Sequence, residues 1–179
     1  MINLRSKQSG TFSVEFALLG VVFMTLLVMS GDIIIKLSMQ GKLDRLSYSL
    51  VNVLKERTQL YGTDVNTLTR KDAITFIRVA RKSLSRTTEN YKKDNLSGTF
   101  EMLTFDTNGQ SKVTELKRGG GCTLTENIQA LEDLSMMTSW GRRATLYRVT
   151  LCYETDNWAG QLFNSDFTTV QSSSIMMGR

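Results

Sequence analysis

The feature that most constrains this chain is a short basic leader followed by a long apolar run. Residues 1–10 contain Arg5 and Lys7 and no acidic residue, and residues 16–29 are apolar apart from one glycine and one threonine. A helix over residues 11–36 would be about 38 Å long at ~1.5 Å per residue, and the hydrocarbon core of a bilayer is roughly 30 Å thick. The sequence therefore predicts a leader at 1–10 and a transmembrane helix at 11–36.

The positions of the basic residues predict the orientation of this helix. Arg5 and Lys7 precede the apolar run, and positive residues favour the cytoplasmic side of a membrane. We therefore expect the amino end in the cytoplasm and everything after Lys36 across the membrane. A secretory signal peptide is the alternative, because Val28 and Ser30 precede Gly31 with the small-residue spacing of a signal-peptidase site.

Glu15 stands at the start of the apolar run, where an acidic side chain is unusual. Burial of an unpaired charge in the bilayer costs about 2.5 kcal/mol or more. The carboxylate could reach the headgroups from the helix end, with support from the helix dipole. Alternatively, a cut after Gly10 would make Thr11 the new amino terminus and Glu15 the fifth residue of the mature chain. Asp32, near the other end of the run, is predicted to be a solvated helix flank.

The residues around this glutamate resemble a known processing pattern. The stretch Ser9-Gly10-Thr11-Phe12-Ser13-Val14-Glu15-Phe16-Ala17-Leu18-Leu19 resembles the amino end of type IV pilin-like proteins, and Val-Glu-Phe-Ala-Leu resembles the TadE/TadF pseudopilins of the tight adherence (Tad, or Flp) pilus. Thr11 and Phe16 depart from the phenylalanine and tyrosine of major pilins. These departures, the chain length and two late cysteines favour a minor pilin, and TadF over TadE.

The resemblance implies a function in pilus assembly or initiation. A prepilin peptidase would cut between Gly10 and Thr11, Glu15 would set the register between subunits, and the protein would be a single-pass inner-membrane protein with its bulk in the periplasm, or part of an extracellular pilus. The implied partners are other minor pilins, the major Flp pilin and the inner-membrane assembly platform. The helix-packing residues would be Phe12, Phe16, Leu19 and Phe23.

The composition gives little support to an enzyme. The 179 residues include no histidine and only two cysteines, so the most common general base and metal ligand is absent and a four-thiolate zinc site is impossible. We therefore expect no catalytic residues, no metal and no cofactor. The remaining alternatives are a membrane-anchored periplasmic receptor or binding module, or a secreted protein released near Ser30.

After the apolar run, the sequence predicts an amphipathic helical continuation over 37–62 and an α+β domain over 63–179. In the continuation the apolar positions recur at spacings of three and four. A restart at Thr63-Asp64 and a second helix over 70–85 follow. The expected buried residues are Met39, Leu43, Leu46, Leu50 and Val53 or Leu54 in the continuation, and Ala73, Ile74, Ile77, Ala80 or Arg81, and Leu84 in the second helix.

The positive charge of the chain is concentrated in one interval. The net charge is +5 overall, and residues 70–93 alone contain eight basic and two acidic residues. Arg78, Arg81 and Lys82 mark this basic face. A solvated helix surface, an acidic neighbouring subunit and an anionic membrane surface are all consistent with it, and nucleic acid is not expected for a domain outside the cytoplasm.

The carboxy-terminal half predicts an antiparallel sheet of about four strands. Asn108-Gly109 joins strands 99–106 and 111–117 as a hairpin, and alternating apolar residues predict a strand over 144–154. A short threonine-capped helix over 125–134, a helical turn at 158–163 and a strand over 167–175 complete the domain. Cys122 and Cys152 would form a disulfide in an oxidising compartment, or two buried thiols otherwise.

Overall fold

The computed structural model describes residues 11–61, 67–106, 108–120, 122–139, 141–156 and 168–178. Two α-helices and four β-strands form in these ranges. They are α1 (Thr11–Tyr61), α2 (Arg70–Thr87), β1 (Leu96–Phe105), β2 (Ser111–Arg118), β3 (Leu146–Glu154) and β4 (Thr169–Met177). The leader at 1–10, the restart at 63–64, the turn at 158–163 and the first residue of the last predicted strand lie outside the described residues.

The chain divides into two compact units. The first contains the amino-terminal part of α1 up to Leu37, and the second contains Ser38–Thr155 and Thr169–Arg179. The second unit is the α+β domain, and its sheet and the covering helices are described below.

Helix α1 runs for 51 residues from Thr11 to Tyr61, through both predicted helical segments. Within the domain its buried apolar residues are Met39, Leu43, Leu50, Val51 and Leu54. Of the pair left open by the sequence, Leu54 is buried and Val53 is 57% exposed. The spacing of three and four places these side chains on one side of the helix, which packs in the domain core.

Helix α2 begins with a capping box. The Thr69 hydroxyl accepts a hydrogen bond from the Asp72 backbone N–H, and the Asp72 carboxylate accepts one from the Thr69 backbone N–H. At the other end, the ammonium group of Lys42 donates to the carbonyl oxygen of Thr87 at 2.7 Å. The predicted apolar face is wrong at one position, because Phe76 is buried whereas Ile74 is 42% exposed.

The four strands form one antiparallel sheet in the order β2-β1-β3-β4, which confirms the predicted α+β class. The predicted hairpin is present as β1 and β2. Gly109, at φ 77°, adopts the left-handed conformation that this turn requires, and its N–H donates to the Asp106 carbonyl at 3.0 Å.

One face of the sheet packs against α2 and against Ser38–Tyr61 of α1, here called the domain part of α1. Phe76 of α2 contacts Phe100 of β1, with ring centroids 5.6 Å apart. Gly98 lets α2 come close, because a Cβ there would lie 3.2 Å from a methyl carbon of Ile77. Beside β4 the contact is polar: the Ser47 hydroxyl lies 2.8 Å from that of Ser174. Small side chains thus allow close packing at both places.

The opposite face of the sheet is covered by residues 122–135. Ile128 packs against Leu103 and Leu146 in a second, smaller apolar cluster. The predicted short helix is present as a 3₁₀ helix over Ile128–Leu134, and Asn127 rather than threonine caps it through a hydrogen bond from the Gln129 N–H. A 3₁₀ turn needs fewer residues than an α-helix, which suits this short covering segment.

Candidate functional site: the apolar segment of α1

The residues of α1 from 12 to 37, here called the apolar segment, leave their large side chains exposed. Of the most apolar 18-residue stretch of this helix, 6% is buried, whereas a core helix of a soluble protein is mostly buried. Among the described residues it is the one helix that is long and apolar enough to cross a membrane. The exposed side chains are those of Phe12, Val14, Phe16, Leu18, Leu19, Val21, Val22, Phe23, Met24, Leu26, Leu27, Val28, Ile33, Ile34, Ile35 and Leu37.

The four residues predicted to pack against other helices lie on one side of this segment. Phe12, Phe16, Leu19 and Phe23 are 73%, 70%, 54% and 64% exposed. Their spacing of four, three and four residues forms a stripe along the helix, and the rings of Phe12 and Phe16 stack with centroids 6.4 Å apart. The stripe is available for contact with another apolar helix or with lipid.

Glu15 borders this stripe and is exposed. It lies three residues after Phe12 and four before Leu19, so it shares a side of the helix with both. None of the described residues forms an ion pair with it, so its charge is not neutralised within the described part of the chain. Thr11 is the first residue of α1, and Gly10 lies outside the described residues.

At the other end of the segment, the prediction for Asp32 is wrong. Its side chain is 6% exposed rather than solvated, and its carboxylate accepts a hydrogen bond from the Lys36 ammonium group at 2.6 Å. The two residues are four apart, which is the spacing at which opposite charges meet on a helix. An internal ion pair therefore neutralises Asp32, in contrast to Glu15.

Within the described ranges, no group of three or more histidine, cysteine, aspartate or glutamate side chains could hold a metal ion. What the apolar segment can do is make contacts along its length with an apolar environment.

The predicted basic face lies on the outer side of α2. Arg78 and Lys82 are exposed, and Arg81 is half-buried. Burial raises the pKa of the neighbouring Tyr91 phenol to about 12, although the positive charge of Arg81 opposes this rise. All three cations lie on α2, and the sequence did not separate the half-buried arginine from the two exposed cations.

Asp72, the only acid in α2, does not belong to the basic face because it has its own partners. Burial favours its neutral form, but hydrogen bonds from Arg57 and Thr69 and the charge of Arg57 outweigh this effect and hold the pKa of the carboxyl group below its ordinary value. Arg57 also donates to the Thr67 carbonyl at 2.7 Å, which ties α1 to the start of α2 within the domain.

Two connections on the covered sheet face hold the domain together. A disulfide joins Cys122 to Cys152, with the Cα atoms 5.7 Å apart. Beside it, the Arg148 guanidinium donates to the Glu101 carboxylate at 2.7 Å and to the Glu126 carbonyl at 2.8 Å.

Sequence reasoning missed this buried ion pair, because an arginine in an alternating strand has the same pattern whether its face is covered or exposed. The signal that could have found it is the expected disulfide itself, since Cys152 lies on the same face of β3 as Arg148 and implies an overlying segment.

The comparison with protein families identifies the chain. The family model for TadF, described as "Putative tight adherence pilin protein F", matches residues 3–179. No curated protein and no solved structure matches the chain. Because the match covers nearly the whole length and includes both the apolar segment and the domain, the chain belongs to the TadF family of the tight adherence pilus system.

Proposed function

We propose that this protein is a membrane-anchored minor pilin that takes part in the assembly or initiation of a Tad pilus. The observation that carries the proposal is the exposed apolar segment in a chain of the TadF family. An unburied apolar surface of this length needs lipid or other apolar helices around it. In this proposal it resides in the inner membrane before assembly and packs against other pilin helices during assembly.

The proposal includes processing of the leader. A prepilin peptidase removes residues 1–10 by cutting between Gly10 and Thr11, and the basic leader places this cut on the cytoplasmic side. The domain that follows Lys36 then lies in the periplasm or on the assembled pilus. The partners are the peptidase, the assembly platform, other minor pilins and the major pilin.

Glu15 has a specific part in this proposal. The cut creates a protonated α-amine on Thr11, and Glu15 is an exposed carboxylate without an ion-pair partner among the described residues. A carboxylate on one subunit and an amine on the next, at the same membrane depth, neutralise each other. This pairing fixes the axial register of adjacent helices, and the stripe of Phe12, Phe16, Leu19 and Phe23 packs beside it.

The amino-terminal residue of the protein purified from membranes tests the processing step. We expect Thr11 in cells that contain the prepilin peptidase and Met1 in cells that lack it. Gly10→Leu should abolish the cut, and Gly20→Leu is the matched control because nothing lies within 4 Å of the added Cβ. Met1 in peptidase-containing cells would instead favour an anchored binding module, and Gly31 a secreted protein.

Substitution of Glu15 tests the pairing. Loss of a charge-assisted hydrogen bond of about 1.5–3 kcal/mol should lower the amount of assembled pili by about tenfold or more, while membrane insertion is unchanged. Pili are counted by electron microscopy in Glu15→Val cells and in Thr25→Val cells, where an exposed residue of the same segment is changed. Normal piliation in the Glu15→Val strain would contradict the pairing.

A further inference from the structure

The two edges of the sheet differ in how they are protected against the addition of another strand. Charged side chains on an edge strand oppose such addition. Those of β2 are Lys112, Glu115, Lys117 and Arg118. β4 has nine residues and no charged side chain. In the described ranges no strand pairs with β4 on the side away from β3, so β4 presents a neutral edge there.

The hydrogen bond of Gly178 fixes which residues of β4 face this edge. The Gly178 N–H donates to the Thr145 carbonyl at 2.7 Å, and these two residues continue the register of β3 and β4. Because alternate residues of an antiparallel strand bond to the same neighbour, the even-numbered residues of β4 bond to β3. The odd-numbered ones direct their backbone N–H and C=O groups away from it. These outward residues are Thr169, Gln171, Ser173, Ile175 and Met177.

A small groove lies beside this edge on the covered face of the sheet. Its volume is about 200 Å³. It is lined by residues 124–126, by Arg148 and Thr150 of β3, and by Gln171 and Ser173 of β4. A residue of an added strand that lies opposite Ser173 would have its Cβ about 5 Å from that of Ser173 and on the same face. Its side chain would therefore lie at the mouth of the groove.

The groove contains a carboxylate without a counter-ion in the described part of the chain. Arg148 is neutralised by Glu101, whose carboxylate accepts from it at 2.7 Å. Glu126 accepts from Arg148 only through its backbone carbonyl, and its exposed side chain forms no ion pair with any described residue. The uncompensated charge of the groove is thus negative, although the net charge of the chain is +5. A cationic side chain complements it.

From these observations we propose that β4 is a docking edge for an extended segment of a partner protein that carries a lysine or an arginine. The backbone of the segment bonds to the outward residues of β4, and its cationic side chain enters the groove and pairs with Glu126. In strand addition the main-chain hydrogen bonds give affinity, and a pocket for alternate side chains gives specificity. Two β4 strands paired with each other would lack this cation, because β4 contains neither lysine nor arginine.

Amide hydrogen exchange of the full chain in detergent micelles tests whether the edge is open. In the protein alone, the N–H groups of Gln171 and Ser173 should exchange about tenfold or more faster than that of Ser172, because only Ser172 is bonded to β3. Slow exchange at all three residues would show that the edge is already covered, and this result would overturn the proposal.

A soluble peptide tests the docking itself. The probe is a short peptide of alternating threonine and valine with a central lysine, and its matched control has glutamate at that position. Binding of the lysine peptide should slow amide exchange at Gln171 and Ser173 and leave Ser172 unchanged. Its affinity should be at least about threefold higher than that of the glutamate peptide, as expected for an exposed ion pair. The net charge of the chain alone would favour the glutamate peptide.

Two substitutions separate the backbone contribution from that of the side chain. Ser173→Pro removes an outward N–H and should weaken binding of the lysine peptide by about tenfold. Ser173→Ala loses the same hydroxyl, which lies 3.0 Å from that of Thr150, and should bind within about twofold of the parent. Glu126→Gln should bind the lysine and glutamate peptides equally. Slow exchange at Ser172 serves as the control for an intact β4 in each variant.

Three further results would overturn the proposal. Equal binding by the Ser173→Pro and Ser173→Ala proteins would show that the peptide does not add to β4. A lysine preference that persists in Glu126→Gln would show that the groove does not select the cation. Unchanged exchange on addition of the lysine peptide, in protein that self-associates on sedimentation, would make a second copy the occupant. None of these measurements depends on leader processing or on Glu15, so the proposed function is tested separately.

Discussion

The two parts of α1 share one helix but differ in what covers them. In the domain part, Leu43, Leu50 and Leu54 are between 0% and 3% exposed. In the apolar segment, Leu18, Leu19 and Leu26 are between 54% and 63% exposed. The same residue type therefore stabilises the fold in one part and is available to lipid or partner helices in the other.

The difference follows from how apolar residues are distributed around the helix. In the domain part they recur at three and four residues, so a sheet on one side is enough to bury them. In the apolar segment they surround the helix, and one flat sheet face cannot cover them. A helix that is apolar on all sides is stable only inside a large core or in a membrane.

The largest effect expected from this comparison is on the stability of the domain. Leu43→Ala should lower the free energy of unfolding by about 2–5 kcal/mol, because a fully buried leucine leaves a cavity. Leu18→Ala should change it by less than about 0.5 kcal/mol. Denaturant unfolding in detergent micelles, followed by near-ultraviolet circular dichroism, measures both.

An equal loss of stability in the two leucine variants would contradict the comparison. It would mean that the apolar segment contributes to the domain core. The Leu18→Ala protein should also fractionate with membranes as the parent does, which serves as the control for an intact anchor.

A smaller effect is expected when the disulfide is removed. Cys122→Ala/Cys152→Ala opens a loop with a sequence separation of 30, and the free energy of unfolding of the domain should fall by about 2–4 kcal/mol. The same denaturant titration in micelles measures this change.

The apolar segment has no part in this bond, so membrane retention of the double cysteine variant should be normal. If the double cysteine variant is lost from the membrane fraction while its domain keeps its stability, the result contradicts the expectation that the disulfide stabilises the domain and the apolar segment anchors the protein.

The smallest effect is the pH dependence contributed by Asp72. Its pKa is lowered in the folded protein, so its stabilising effect is present above the ordinary pKa of an aspartate and is lost as the pH falls through the lower folded-state value. Asp72→Asn should lower stability at neutral pH by about 0.2–1 kcal/mol, because the ion pair with Arg57 is lost while the amide oxygen can still accept from the Thr69 backbone N–H, and it should flatten the acid limb of the stability curve.

The control for this pH dependence is Asp44→Asn, in the same domain but on a side of α1 that is exposed to solvent. It should leave the acid limb unchanged. If Asp72→Asn retains the full acid dependence of the parent, carboxylates other than Asp72 cause the loss of stability at low pH.

Much of the helical structure could be predicted from local patterns. The spacing of apolar residues located both helices, and the Asn108-Gly109 pair located the hairpin, because these signals depend on neighbours along the chain. The spacing left Val53 and Leu54 as alternatives, and it placed Ile74 on the apolar face of α2, where Phe76 is buried instead. The position of the sheet decides which of these side chains is covered.

Of the candidate site, the sequence predicted the apolar segment and the stripe but not the charge pairing. Asp32 and Glu15 are both acids at the ends of one apolar run, and composition does not distinguish them. The structure shows that Lys36 neutralises Asp32. This outcome depends on side-chain geometry as well as on the spacing of four residues.

The sequence by itself determined that this protein has a helix too apolar to be covered by its own domain, because hydrophobicity on every side of a helix needs no tertiary information to detect. Only the tertiary structure decided that the second face of the sheet is covered and that Glu101 pairs with Arg148 beneath residues 122–128. Burial of a polar side chain depends on which distant segment packs over it, and the local spacing of residues does not indicate which segment that is.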